Sequence, residues 1–494
     1  MAKMLRVNVA LPNGDSQFLS ISQSSNVKEL TNLAENSLGK KFLRLVLADG
    51  RNLVDPSESL QSAGLQEGDC ILAIVLQVQV ASTLRAFALW CCGGDRITTW
   101  GDPDSGGDSS AVQDQLRNLR SVQHVQATWN AFAAILSDGS VLTWGKPASG
   151  GDSSAVQKQL CNVKQIQATT HAFAALLADG SVVTWGNPAS GGDSSAVQDQ
   201  LRNVKQIQAT THAFAAILAD GAVVSWGSSS YGGNNSAVKL KLRHVKQVQA
   251  TGYAFAAILS DGSVVTWGSP AYGGNSTAVQ NQLRNVRQIQ ATDVAFAAIL
   301  ADGLVVTWGQ AALGGDSSAV QNLLWNTVQI QAADRAFAAI STDGAVVSWG
   351  DLALSDDCCI VEDQLLTVRE VQATAFAFAA ILEDGSVATW GDRSAGGDSH
   401  VVRDQLRSVQ QLQATRYAFA AIRTDGSVVT WGDGAFGGDS SEVEAYLKGV
   451  QQIHSTHYAF SAVLADGSVF TWGDPAAGGD CSRVRDQLTG SFFP

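Results

Sequence analysis

Three histidines, His171, His212 and His457, fall in the same short variable stretch of a repeated unit, and neutral imidazoles are the commonest metal ligands. Two of them lie in neighbouring units. The third is remote unless the repeats close on themselves, and no carboxylate or cysteine recurs beside them, so no metal site is expected. Asp108, Asp152, Asp193, Asp316, Asp398, Asp439 and Asp480 each follow Gly-Gly, in the manner of calcium-binding repeats. Asn234 and Asn275 replace them in two units, which fits a helix cap better than a cation ligand. The 7 cysteines include the adjacent pairs Cys91/Cys92 and Cys358/Cys359 but no C-x-x-C, and read as reduced thiols of an intracellular, cytoplasmic or nuclear protein. No G-x-x-x-x-G-K-S/T, G-x-S-x-G or H-E-x-x-H occurs. Neither catalysis nor a cofactor is expected.

With 45% apolar and 16% charged residues, the 494-residue chain can bury a large core. A net charge of -13 without a Lys/Arg cluster opposes a phosphate backbone, so nucleic acid is excluded as a partner. The most apolar stretch, Cys70 to Ala81, is interrupted by Gln77 and Gln79 and is too short to span a bilayer. No signal peptide precedes it, and no membrane role is expected.

Those residues need elements to carry them. Leu5–Val9 and Gln17–Ile21 read as strands around the turn Pro12-Asn13-Gly14-Asp15. A helix follows, capped by Ser24 or Ser25, with Val27, Leu30, Leu33 and Ala34 at helical spacing and a stop at Gly39. Strands Phe42–Leu47 and Cys70–Leu76 complete the order of a β-grasp. The stretch Ala48 to Val54-Asp55 and the pair Gly68-Asp69 resemble ubiquitin, so residues 1–76 are read as a ubiquitin-like domain. Gln77-Val78-Gln79-Val80 stands where a conjugated modifier has Gly-Gly, which makes this a built-in module. Arg44 lies where ubiquitin's receptor-binding patch wants an apolar residue.

Residues 77–494 are repeats. Thr/Ser-Trp-Gly recurs at Trp100, Trp144, Trp185, Trp226, Trp267, Trp308, Trp349, Trp390, Trp431 and Trp472, spaced by 44 residues once and then by 41 eight times. Each unit reads as three antiparallel strands: 163–169, 172–177 and 181–185 in a representative one. Asp-Gly, in nine of the ten units, predicts a two-residue type I′ hairpin between the second and third strands. Only the first unit departs, with Cys91-Cys92-Gly93-Gly94-Asp95. The second strand is apolar on both faces, Phe132, Ala134 and Leu136 against Ala131, Ala133 and Ile135, as required between two neighbours. Ser110 to Gln113, Ser154 to Gln157 and Ser195 to Gln198 fit capping boxes that open a short connecting helix.

This motif, with its Ala-Phe-Ala-Ala-Ile-Leu, Asp-Gly-Ser-Val and Thr-Trp-Gly segments, resembles the repeat of the regulator of chromosome condensation family over residues 78–490. Its length is closer to the compact blades of the propeller-type β-lactamase inhibitor protein. The resemblance implies a β-propeller, seven-bladed in that family. The fold expected is therefore mainly β: a ubiquitin-like β-grasp followed by ten three-stranded blades, each with a short connecting helix, in a ring or an open spiral.

The units differ chiefly in the two residues before Ala-Phe, and again just after Trp-Gly. Strand directions put both stretches on one face, called the top, with the Asp-Gly turns as plain turn chemistry at the bottom. Aromatic, His and Arg side chains on a rigid face are those that interface hot spots use. Trp129, Asn130, His171, His212, Tyr253, Arg335, Phe376, Arg416, Tyr417, His457 and Tyr458 are thus candidate partner-binding residues. The function expected is a non-enzymatic protein-interaction scaffold with a link to the ubiquitin system. A ubiquitin-ligase adaptor, or a nucleotide-exchange or chromatin regulator as the family name implies, are the alternatives.

Overall fold

The computed structural model describes residues 3–40, 43–53, 55, 57–91, 97–116, 121–351 and 367–488. Cys92, Gly93-Gly94-Asp95 and the pair Cys358/Cys359 lie outside the described residues.

Strands β1 (Met4–Ala10) and β2 (Ser16–Ser22) form a hairpin whose turn carries Gly14 at φ 97°. Helix α1 (Val27–Leu38) covers the sheet, β4 (Cys70–Val75) runs parallel to β1, and β3 (Leu43–Leu47) pairs with β4. The strand order β2-β1-β4-β3 is that of a β-grasp. The helix cap is Asn26, whose side chain accepts the Glu29 N–H, and neither serine expected. Ser24 is engaged instead with Ser22, hydroxyl to hydroxyl, at 2.8 Å. Gly39 ends the helix at φ 61°. On the open face of the sheet Arg44 stands opposite Ile74, and Ile74 and Leu72 are exposed.

Ten antiparallel three-stranded sheets follow, each built from contiguous chain in the order inner, middle, outer strand. Blade 3, for example, is Val163–Ala168, Ala172–Leu177 and Val182–Gly186. Middle strands are buried on both faces. Phe173 and Ala175 meet Ala131, Ala133 and Ile135 of blade 2, while Ala172 and Ala174 receive Phe214 of blade 4. A large ring thus fills the gap left by small side chains at every interface.

A second lock joins neighbours. The Trp185 indole N–H donates to the Gly150 carbonyl of blade 2 at 3.0 Å, and Gly150, at φ 94°, sits so close that a Cβ there would lie 2.5 Å from Phe173. This bond recurs from blade to blade and decides between ring and spiral. Trp100 of blade 1 donates to Gly478 of blade 10 at 3.1 Å, and Phe87 and Leu89 share a core with Ala459 and Val463. Ten blades therefore close into a ring, with no strand exchanged at the joint.

Local details differ from expectation. The Asp-Gly turn is not type I′: only the glycine has positive φ, 81° at Gly180, while Leu177 and Ser181 close a longer loop with the Leu177 N–H donated to the Ser181 carbonyl. This is a type I turn ended by a left-handed glycine, which Asp179 supports by accepting the Ser181 N–H at 2.9 Å. Nor is the turn isolated, since Val204 of the next blade donates to Gly180. The serine bonded to Gln157 is Ser153 and not Ser154, whose N–H is instead taken by Asp152. Among the described residues only the first connection, α2 (Ser110–Leu116), is a two-turn α-helix, and others shrink to 3-10 turns such as Gln157–Gln159.

Candidate functional site

In seven of the ten blades the top of the inner strand ends in Ala-Thr followed by the variable pair; blades 1 and 10 have Ser-Thr there and blade 7 has Ala332-Ala333. In blade 3 the Thr169 hydroxyl accepts the Ala172 N–H and donates to the Ser190 carbonyl, both at 3.0 Å, which ties the inner turn to the loop after Trp-Gly. Both variable stretches are therefore held together on one face by a buried Thr that serves neither of them as a ligand.

The two variable positions have different surroundings. The first of each pair rims a central channel: Leu84, Trp129, Thr170, Thr211, Gly252, Asp293, Asp334, Ala375, Arg416 and His457 all line one cavity of about 730 Å³. Nine of the ten steps are linked head to tail, the N–H donated to the next blade's carbonyl, as in Thr170 to Thr211 at 3.0 Å and Arg416 to His457 at 3.0 Å, the exception being the step from Asp334 to Ala375. The chain of bonds crosses the joint from His457 to Leu84 at 3.4 Å. A rigid mouth results.

That mouth is polar on one side. Arg416 reaches past Ala375 of blade 8 to pair with Asp334 of blade 7 at 2.5 Å. Only a small residue leaves room for this clasp. His457 is pushed down to about 4 by burial and by the Arg416 charge, so it is neutral at pH 7.

The second residue of each pair turns outward and forms aromatic arcs with residues from the loop after Trp-Gly. Across blades 2 to 5, Trp129, His171, His212, Tyr231, Tyr253 and Tyr272 follow one another with ring centroids 5.7, 6.0, 4.5, 4.9 and 4.6 Å apart. His171 and His212 are held below the usual histidine range, first by burial. Hydroxyls bind them too: His212 Nδ1 lies 2.9 Å from Ser190 Oγ. Burial, then Tyr231 and Tyr272, raises the Tyr253 phenol. Trp129 belongs to both sets and is 44% exposed.

A second arc covers blades 7 to 10. Arg335, paired with Asp351 at 3.8 Å, lies over Phe376, and Phe376, Tyr417, Phe436 and Tyr458 follow at 5.9, 5.2 and 5.3 Å. The candidate residues thus fall into three groups: Trp129, His171, His212 and Tyr253 in one arc; Arg335, Phe376, Tyr417 and Tyr458 in the other; Arg416 and His457 at the channel. Asn130 stands apart, its amide donating to Ser105 at 3.1 Å. His171, His212 and His457 do not share a mouth, because His457 occupies the channel position and the other two the outer one. Among the described residues no three His, Cys, Asp or Glu side chains gather as metal ligands. No described helix is long and apolar enough to cross a membrane.

Tyr231, Tyr272 and Phe436 are not among the candidate partner-binding residues, although they lie in the stretch after Trp-Gly that the sequence marks as variable and on the same face. Asp334 and Asp293 were passed over because a carboxylate in one unit has no sequence mark linking it to Arg416 two units on.

No family model and no curated protein matches the chain. Solved structures do. Prp20p from Saccharomyces cerevisiae, a protein with binding properties toward Gsp1p and histones, is 16% identical over 65% of this chain and 84% of that one, with a TM-score of 0.33. The CRINKLY WD40 ectodomain of the Arabidopsis thaliana receptor kinase ACR4 is 17% identical over 53% of this chain and 92% of its own, with a TM-score of 0.31. Caldiarchaeum subterraneum ubiquitin is 19% identical over 15% of this chain and 96% of its own, with a TM-score of 0.14. Each is a likeness of fold and names no ligand for this chain.

Proposed function

We propose that the chain is a non-enzymatic protein-interaction scaffold that binds a partner through its top face, with residues 77–494 a ten-blade propeller of the regulator of chromosome condensation type. The observation that carries this reading is the pair of aromatic arcs on a hydrogen-bonded ring. Rigid Trp, Tyr, Phe and Arg side chains lose little freedom on binding and desolvate well, which is why they dominate interface energies. The invariant parts of each unit are spent on the frame, and the varied parts face outward together. In the same reading residues 1–76 form a ubiquitin-like module that couples the captured partner to the ubiquitin system, its exposed Leu72 and Ile74 offering contact area.

The test is affinity capture with the intact protein and with a Trp129→Ala, Tyr253→Ala, Arg335→Ala variant, followed by titration of the purified partner against both. A partner bound by the first and at least about tenfold more weakly by the second supports the reading. Equal binding by both, with circular dichroism showing both folded, removes the top face from the account.

A further inference from the structure

A recess of about 420 Å³ lies on the top face over the joint of the ring, lined by Leu84, Arg85, Tyr417, Phe436, Tyr458 and Asp474. Leu84 and Arg85 come from blade 1, Tyr417 and Phe436 from blade 9, Tyr458 and Asp474 from blade 10. It therefore exists only when the ring is closed. All six residues are half-buried, so its walls are preformed. The size is that of a small-ligand site.

Its chemistry is specific. Three aromatic rings form a cluster, Phe436 lying 5.2 Å from Tyr417 and 5.3 Å from Tyr458, with the two tyrosines near parallel at 6.4 Å. Beside them stand a donor and an acceptor: Arg85 Nη2 is 3.5 Å from Asp474 Oδ2, well beyond the roughly 2.7–2.9 Å of a charge-assisted hydrogen bond. Arg85 Nε is buried with no acceptor. The pair is neutral as a whole and underused by the protein.

We infer that this recess binds a neutral pyranose ring, a sugar whose apolar C–H face lies on the aromatic cluster and whose neighbouring hydroxyls bridge Arg85 and Asp474. A cation would have to displace Arg85 from Asp474, and an anion would have to displace Asp474 from Arg85. A plain aromatic ligand would exclude water from both ions and offer neither of them a hydrogen bond. A polyhydroxylated ring offers an apolar face together with adjacent hydroxyls that both donate and accept. Because the site spans blades 9, 10 and 1, occupancy also fastens the one interface that chain continuity does not, and bound sugar stabilises the closed ring by mass action. The inference goes beyond the protein-binding reading: it shares Tyr417, Phe436 and Tyr458 with the second aromatic arc and adds Arg85 and Asp474, which that reading does not use.

The test uses the full chain, with maltose, cellobiose, lactose and chitobiose titrated separately by saturation-transfer NMR and by thermal unfolding. Expected is saturable binding of at least one disaccharide below roughly 10 mM with a rise in the unfolding midpoint. Asp474→Asn should weaken it about tenfold or more while folding normally, since Asn187 makes the same turn cap in blade 3 that Asp474 makes in blade 10, each accepting a backbone N–H at 2.9 Å. Tyr458→Leu should abolish it, and Trp129→Ala should leave it unchanged. The inference is overturned if none of the four sugars saturates, if Asp474→Asn binds them as the parent does, or if choline or indole-3-acetate fills the recess while the sugars do not.

Discussion

Substituting Gly478 by Ala tests whether the ring is closed, because Gly478 belongs to blade 10 but touches blade 1. A Cβ there would stand 2.6 Å from Phe87 Cδ2, and φ is 95°. Positive φ alone costs a non-glycine residue about 1–3 kcal/mol. Overpacking against a buried ring adds roughly 1–3 kcal/mol, and a shifted loop weakens the Trp100 N–H bond to the Gly478 carbonyl, worth about 1 kcal/mol. The sum is about 3–7 kcal/mol. Gly191 supplies the control: it sits inside the array with φ 93° and the same 2.6 Å approach, to Phe214 of blade 4. In a closed ring the two substitutions cost the same within about 1 kcal/mol. In an open spiral Gly478→Ala retains only the backbone strain and falls short of Gly191→Ala by the packing and hydrogen-bond parts. Urea unfolding of both variants followed by tryptophan fluorescence reads the difference, with midpoints compared at equal slope. A shortfall of 2 kcal/mol or more at Gly478 would refute the reasoning that makes the joint equivalent to every other interface.

Blade 7 supplies a second test, since Trp390 donates to Ser348 Oγ at 2.9 Å where other units use a glycine carbonyl. Ser348→Ala should cost about 1–3 kcal/mol by orphaning a buried indole N–H, whereas Ser225→Ala, at the same strand position in blade 4 with a buried hydroxyl that has no partner, should cost nothing or stabilise; unfolding midpoints rank them. The Arg416–Asp334 clasp is partly open to solvent, with side chains 36% and 30% exposed, so a double-mutant cycle with Ala should give about 1 kcal/mol or less and should shrink in high salt. His457 has a folded pKa of about 4 against an ordinary value of 6.5, so the unfolded chain takes up the proton first; stability falls as pH drops from 6.5 to 4, by up to about 3 kcal/mol, and is unaffected above 6.5. His454, His171 and His212 shift the same way, so His457→Asn should flatten that loss in part, as measured by unfolding at pH 7 and 4.5.

Periodicity carried the frame. The repeated Trp-Gly, the Phe and Ala alternation and the Asp-Gly turns specify blades because each is a local demand that neighbouring residues satisfy, and the structure shows all three at work. Closure was not legible: the contact between Trp100 and Gly478 spans nearly the whole repeat array, and nothing in the chain distinguishes Gly478 from its eight counterparts. The turn type was missed for a smaller reason. Asp179 before Gly180 suggests two left-handed residues, yet Asp179 keeps negative φ and uses its carboxylate on the Ser181 N–H instead. The variable pair was visible as one feature, but its two residues face the channel and the outer arc, a division that depends on which backbone N–H enters the ring of hydrogen bonds.

That division has a consequence for how the face can vary. Channel positions are joined through their backbones, so any side chain is tolerated there that clears its neighbours, and the set runs from Gly252 to Trp129. Outer positions are joined through side chains, each ring resting on the next, so a change at Tyr253 is felt by both Tyr231 and Tyr272. The mouth can therefore change charge one residue at a time, whereas the arcs are replaced in contiguous groups. Asp334 and Arg416 are the exception at the mouth, since their clasp fixes Ala375 between them: a larger residue at 375 breaks the pair without touching either charge.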